Sequence, residues 1–219
     1  MGFRRTAAVA VATMLACFGA GSAEAHPHVF VDGRTEVVFD PDGKMTAVRN
    51  IWQFDEAFTQ FAIQGLDTDG DGKLSDAELK PLADINVKSL KEFAFFTYLT
   101  VGRNKANFLP PKEYWLEFHG GRLTLFFTLP IETPMAVGAN TLLEIFDPEY
   151  FVDFEFPKNP RITLIKAPKG CKTNYNPPGE LDSNTMATLA AIPVDQHDLP
   201  SDLLQAASVL ANSFTIGCP

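Results

Sequence analysis

The chain has 219 residues, 46% of them hydrophobic, and a net charge of −9. That length supports one sizeable core with at most an appendage. The acidic balance argues against nucleic acid as a partner and suits cations, and past residue 18 no apolar run approaches the roughly 20 residues that a membrane-spanning helix needs.

Arg4 and Arg5, an apolar run over 7–18 and the small-x-small triplet Ala23-Glu24-Ala25 have the layout of a secretory signal peptide over residues 1–25. Cleavage after Ala25 makes His26 the first residue of a single exported domain, 26–219. A lipoprotein box at Cys17 and a twin-arginine signal at Arg4-Arg5 fit less well. Of the three cysteines, Cys17 leaves with the leader. Cys171 and Cys218 are then expected to pair in an oxidising compartment, the alternative being two buried thiols.

Alternating residues predict a strand over 28–39, a turn at Asp40-Pro41-Asp42-Gly43 and a returning strand over 45–53. A helical unit over 54–96 follows. Its first helix is expected over 55–66, with Phe58, Phe61, Ala62 and Leu66 on one face. Ser75 caps a second helix, which Pro81 should kink or interrupt. It should resume over 86–93 with Val87, Leu90 and Phe93 facing the core.

Further strands are expected over 97–103, 114–118, 122–129, 141–146, 151–156 and 162–166, with a tight turn at His119-Gly120-Gly121. Residues 174–199 read as an irregular crossing. The C-terminal part, 199–219, reads as a helix capped by Ser201 and a strand with Phe214, Ile216 and Cys218 on its inner face. Short strands joined by turns, interrupted by one helical unit, imply an α+β fold with a mainly antiparallel, sandwich-like sheet. The nineteen Phe, with Trp52 and Trp115, are expected to fill the core, which disfavours an aromatic carbohydrate platform.

Between the two helices, residues 67–78 match the EF-hand calcium loop at every constrained position. Asp67, Asp69 and Asp71 supply hard carboxylate oxygens at loop positions one, three and five. Gly72 permits the sharp turn, and Lys73 offers its backbone carbonyl. Ser75 acts through a water, and Glu78 closes the shell with two oxygens. The alternative is an acidic turn with no ion. One loop and only five Met favour a structural calcium over a sensor, because sensors pair their loops and open a Met-rich groove.

The new amino terminus, His26-Pro27-His28, is a second candidate. Its α-amine and the His26 imidazole form a compact chelate, and His28 adds a third nitrogen. Strand geometry puts His28, Phe30 and Asp32 on one face, so Asp32 is a candidate fourth ligand or a partner to an imidazole. Nitrogen ligands suit Zn²⁺, Ni²⁺, Co²⁺ or Cu²⁺ better than calcium. Pro27 has no amide hydrogen, which blocks square-planar chelation through the backbone. The alternative is a solvated tail. His119 and His197 are distant candidates whose default is solvation, as it is for the acidic cluster Asp147, Glu149 and Asp153. There is no G-x-S-x-G elbow, phosphate-cradling loop or HExxH helix, and His28 lies too near His26 in sequence to resemble the histidine brace of copper oxidases. The expectation is a protein that is not an enzyme.

Several stretches resemble the domain of unknown function 1007 family. They are His26-Pro27-His28-Val29-Phe30-Val31-Asp32, Phe54-Asp55-Glu56-Ala57-Phe58 leading to Gly65-Leu66-Asp67, Tyr114-Trp115-Leu116-Glu117-Phe118, the run from Asp147-Pro148-Glu149-Tyr150 through Phe151-Val152-Asp153-Phe154, and Gly170-Cys171. The resemblance covers most of the mature chain, though not 177–198. It implies a periplasmic component of an uncharacterised ABC-type transport system, with an inner-membrane nickel/cobalt-type permease as partner. The family offers no catalytic residues to carry over. The expected function is thus a periplasmic calcium-binding protein that binds or delivers a divalent transition metal for a transporter. The competing expectation is a calcium-stabilised envelope interaction module.

Overall fold

The computed structural model describes residues 27–191, 203 and 206–219. Residues 1–25, where the signal peptide is expected, His26, His197 and the Ser201 cap lie outside the described residues. The fold is α+β and mostly antiparallel, as the strand pattern implied.

The chain begins with a long hairpin of β1 (Val29–Phe39) and β2 (Lys44–Phe54). Val29, Val31, Val37 and Phe39 alternate inward on β1 and are buried, as period-two patterning requires. Asp40 fastens the turn, accepting from the Lys44 backbone N–H through Oδ1 at 2.8 Å. Farther along, β3 (Thr97–Val101) pairs with the short β4 (Asn104–Lys105). Next, β5 (Tyr114–His119) turns back into β6 (Arg122–Ala136) through Gly120 and Gly121, whose φ angles of 59° and 81° need glycine.

The β6 strand runs well past the expected end at 129, through Pro130 and Pro134. Its even-numbered N–H groups face away from β2. Thr128 donates to the Glu113 carbonyl and Glu132 to the Asn107 carbonyl. Pro130 therefore removes no bond to β2, and Pro134 falls in the register irregularity between the Ala47–Pro130 and Met45–Met135 pairs, so the strand survives.

After β7 (Thr141–Ile145), β8 (Val152–Glu155) and β9 (Ile162–Ile165) lie end to end along β1, both parallel to it. These are the parallel exceptions in a largely antiparallel fold. One sheet then has the order β5-β6-β2-β1-β8, with β9 also on β1. The second contains β10 (Lys172–Asn176) and β11 (Asn212–Gly217) in the order β10-β11-β7-β3-β4. The expected irregular crossing is thus partly regular. It holds the end of β10 and the helix α3 (Ser183–Ala190), capped by Asp182. Cys171 and Cys218 are bonded, with Cα atoms 4.0 Å apart. Phe214 and Ile216 face inward beside them.

One buried cluster draws on both sheets, including Trp52, Phe127 and Phe154 from the first and Leu99, Leu143 and Phe214 from the second. A polar thread crosses it. Thr35 Oγ1 donates to Asn50 Oδ1 at 3.1 Å, Asn50 Nδ2 to Thr97 Oγ1 at 2.9 Å, and Thr97 Oγ1 to the Phe95 carbonyl at 2.7 Å. Gly33 leaves room for the Phe156 ring, since a Cβ there would sit 2.7 Å from its Cζ.

The helical unit packs on this core. Helix α1 (Glu56–Ala62) is shorter than expected, ending before Gly65 at φ 76°. Phe58, Ala62 and Leu66 do pack inward, but Phe61, one position off that row, is 74% exposed. Helix α2 (Asp76–Leu90) is continuous, contrary to the expected break at Pro81. The bond Pro81 cannot make would go to the carbonyl of Ala77, an exposed residue, where solvent satisfies it. Leu79, Ala83 and Val87 are buried. Trp115 is also a correction. It is 42% exposed, stacked on Phe126 with centroids 4.8 Å apart, and its Nε1 donates to Glu117. It lies on the outer face of β5, where alternation sends every second residue.

After α2, a turn over Lys91–Phe96 adopts an uncommon backbone. Ala94, Phe95 and Phe96 have φ angles of 50°, 54° and 47°. Three successive left-handed residues without glycine cost roughly 1–2 kcal/mol each. Among the described residues no helix is long and apolar enough to cross a membrane.

Candidate metal centre

The 67–78 loop is held at both ends by capped helices. Asp55 caps α1, accepting from the Phe58 N–H at 2.8 Å, and its second oxygen accepts from the Phe30 N–H at 2.9 Å. This ties the helical unit to β1. Ser75 caps α2 in a full capping box with Glu78.

Inside the loop, backbone N–H groups aim the carboxylates. Asp67 accepts from Gly70 at 2.8 Å and from Gly72 at 3.0 Å. Asp69 accepts from Asp71 at 3.1 Å, and Asp71 from Lys73 at 2.8 Å. Gly70 and Gly72 take positive φ angles of 73° and 78°, which brings those N–H groups round. As a result one oxygen from each of Asp67, Asp69 and Asp71 lies within 4.8 Å of the others. Three like charges at that spacing repel by about 1 kcal/mol per pair even in water. A divalent cation turns that repulsion into coordination, and oxygen is the donor calcium prefers.

Glu78 sits differently. Its Oε1 accepts from the Thr68 N–H and hydroxyl at 2.7 and 3.0 Å, and its Oε2 from the Ser75 N–H and hydroxyl at 2.9 and 2.8 Å. These bonds, those to the Ser75 and Thr68 backbone foremost, hold its carboxyl well below the usual range, at about 2. The structure therefore brings the three aspartates together and uses Glu78 to clasp the two ends of the loop. Coordination by Glu78 requires it to exchange some of those bonds for an ion. Ser75 is occupied as the cap, and the Lys73 side chain is exposed. Among the described residues no other group of three or more His, Cys, Asp or Glu side chains gathers its ligand atoms in this way.

At the amino terminus, His28 is exposed on the outer face with Phe30. Its backbone N–H donates to the Phe151 carbonyl at 2.9 Å, and its ring lies 4.9 Å from the Phe151 ring. Parallel pairing of β1 with β8 thus sets His28 beside the 147–153 segment. Asp32 is drawn elsewhere. Its carboxylate pairs with Arg122 at 2.7 Å, and four residues of strand put it about 13 Å from His28. The structure does not bring Asp32 to His28. His119 is exposed at the far end of β5.

The acidic cluster is not a solvated turn. Asp147 is 3% exposed, and its carboxylate accepts from the Glu149, Phe151 and Val152 N–H groups at 2.9–3.0 Å. Burial pushes its carboxyl up to about 6 against the pull of those donors. Burial also raises Asp153, with the charge of Glu155 adding to it. The signal for Asp147 was its place at the head of a turn, since an aspartate commonly bonds N–H groups a few residues on.

A Haemophilus influenzae protein, described as uncharacterized, is 26% identical over 151 residues, which is 68% of this chain and 71% of that protein. A Spirochaeta aurantia protein, described as an uncharacterized 15.5 kDa protein in the trpE 3′ region, is 30% identical over 104 residues, 45% of this chain and 70% of its own length. The sequence pattern described as "Protein of unknown function (DUF1007)" matches residues 11–218. With that match running over nearly the whole chain, the protein belongs to the DUF1007 family.

Proposed function

We propose that this is a periplasmic calcium-binding protein of the EF-hand type. It acts without catalysis, holding or passing on a divalent transition metal for an inner-membrane permease. The observation that carries the calcium half is the convergence of Asp67, Asp69 and Asp71 within 4.8 Å, aimed by backbone donors in a loop whose sequence fits calcium at each constrained position. Its single loop and the packing of α2 against the core favour a structural ion. Affinity at the level of extracellular modules, ~10⁻⁴–10⁻³ M, is expected. Calcium at several times that concentration should raise Tm, because it binds the folded state. Glu78→Gln should reduce that rise.

The transition-metal half rests on His26 and His28 after leader cleavage, with the transport setting drawn from the family resemblance. Asp32 is left out of the ligand set because Arg122 holds it. The deciding experiment is calorimetric titration of correctly processed protein with Zn²⁺, Ni²⁺, Co²⁺ and Cu²⁺. One site is expected that weakens below neutral pH, because protons compete for the amine and imidazoles. It should weaken when a tag precedes His26, and weaken further in His28→Ala. The withdrawal of Asp32 favours a second reading, a calcium-stabilised envelope interaction module. That reading stands if no metal binds more tightly than about 1 mM.

A further inference from the structure

The two edges of the first sheet are finished differently. At one edge α2 packs against β5 and leaves Leu116 only 2% exposed. At the other, β9 is bonded on one side. Its parallel register on β1 pairs Thr35 with Ile162 and Val37 with Leu164, and the Thr35 N–H donates to the Arg161 carbonyl at 3.0 Å. In such a pairing β1 bonds to the odd-numbered backbone groups of β9. Ile162 and Leu164 therefore turn their N–H and C=O groups away from β1. No second strand pairs with β9, and none of those four groups has a hydrogen-bond partner among the described residues.

The strand also lacks the devices that usually blunt an edge. Ile162-Thr163-Leu164-Ile165 has no proline, glycine, bulge or charged side chain. Ile162 and Leu164 send their side chains to the core cluster, while Thr163, Leu164 and Ile165 keep part of their surface in solvent. An unpaired row of this kind is a template for a further strand.

Charge says independently what that strand carries. Residues 156–179 hold five basic side chains, Lys158, Arg161, Lys166, Lys169 and Lys172, and no acidic one, in a chain of net charge −9. Arg161 is engaged locally, with the Phe156 carbonyl, Asn159 and the Tyr175 ring. The four lysines are exposed, and none forms an ion pair among the described residues. They flank β9 rather than interrupt it. Two copies of this edge would repel one another, whereas a strand with acidic ends would be attracted.

We infer that β9 is a docking edge for an extended segment of another polypeptide, one that bonds to Ile162 and Leu164 through its main chain and carries acidic residues at its ends for the flanking lysines. Four residues of edge span about 13 Å, so the segment is short and its affinity modest. The inference is independent of the calcium and transition-metal reading.

The test is amide NMR on protein recovered from the periplasm of cells expressing the full chain. In the free protein the Leu164 N–H should exchange with solvent faster than those of Thr163 and Ile165, which β1 holds. The first probe is the capped peptide Asp-Asp-Val-Thr-Val-Thr-Val-Asp-Asp. It should bind more tightly than about 1 mM, shift the Ile162 and Leu164 amides and slow their exchange. The same peptide N-methylated at every core residue keeps its charge but cannot donate. A third peptide has Lys in place of each Asp. Each of these should bind about tenfold more weakly or worse. The double variant Lys166→Glu/Lys169→Glu changes only exposed side chains, so it should fold normally and weaken the acidic peptide about tenfold.

A Leu164 N–H already protected in the free protein would show the edge to be occupied by the chain itself and would overturn the inference. It also falls if the acidic peptide fails to bind, or binds without moving the Ile162 and Leu164 amides. Equal binding by the N-methylated or lysine peptide, or by the double variant, overturns it too. The last arm is sedimentation with phosphatidylglycerol vesicles, which should leave the protein in solution. Sedimentation that the double variant abolishes would assign the lysines to an anionic membrane surface and overturn the inference.

Discussion

In the 67–78 loop every side chain that matters comes from one unbroken stretch, and all but Leu74 and Glu78 are exposed. Beside Trp52 lies an aromatic cleft of about 400 Å³ whose side chains come from β1, β2, β6, β8, both helices of the inserted unit and the turn after α2, and Trp52 is almost fully buried. The loop stores its information in spacing. The cleft stores it in topology, since the parallel pairing of β1 with β8 and the left-handed turn must both be in place before any wall exists. A region of the first kind tolerates change in the rest of the protein. A region of the second kind answers to substitutions far from it.

Four measurements press on that contrast, beginning with the largest expected effect. Asp147 has an unfolded pKa near 3.8 and a folded value of about 6. The folded protein therefore binds more protons between those values. The contribution is fully present below about pH 4 and is lost as pH rises through 6, a change of about 3 kcal/mol. Urea unfolding across that window should show the decline, and Asp147→Asn should flatten it while lowering stability throughout, because an amide cannot accept from all three N–H groups. Next, Asn50→Leu should cost about 2 kcal/mol by removing two buried hydrogen bonds, which leaves the Thr35 and Thr97 hydroxyls with only the Arg49 and Phe95 carbonyls. It should also loosen the Phe95–Phe96 turn and shift the NMR signal of the Trp52 indole N–H. Ala94→Gly comes third. Ala94 is exposed, so little packing is lost, and relief of its φ of 50° should raise stability by up to about 1 kcal/mol. A fall in Tm would count against strain in the turn. Smallest of all, Asp71→Asn without calcium should stay within about 0.5 kcal/mol of the native chain. A larger loss would mean that the loop is wired into the core after all.

Legibility in the sequence follows the same divide. The β1–β2 hairpin, the Gly120-Gly121 turn, the capping box at Ser75 and the bridge between Cys171 and Cys218 each depend on residues whose local chemistry or parity announces them. Pro81 and Pro130 misled, because a missing N–H matters only on the side where a partner waits, and that side is fixed by neighbouring strands. Trp115 misled because aromatic content says nothing about which face of β5 is covered. The capture of Asp32 by Arg122 joins residues 90 apart in sequence, and no periodicity reports it. The left-handed run at Ala94 to Phe96 lacks the glycine that usually flags such backbone, so composition was silent there.

The bridge between Cys171 and Cys218 closes a ring of chain that includes α3 and leads back into β11, an inner strand flanked by β10 and β7. A protease that cuts anywhere within 177–207 therefore frees no fragment. The C-terminal piece remains covalently tied through Cys218 and keeps its ladder on both sides. Such a nicked protein should run as two bands only after reduction, and should refold from denaturant as a two-chain molecule so long as the bridge is intact. Under proteolysis, the molecule can lose continuity of its backbone there without losing an inner strand of its second sheet.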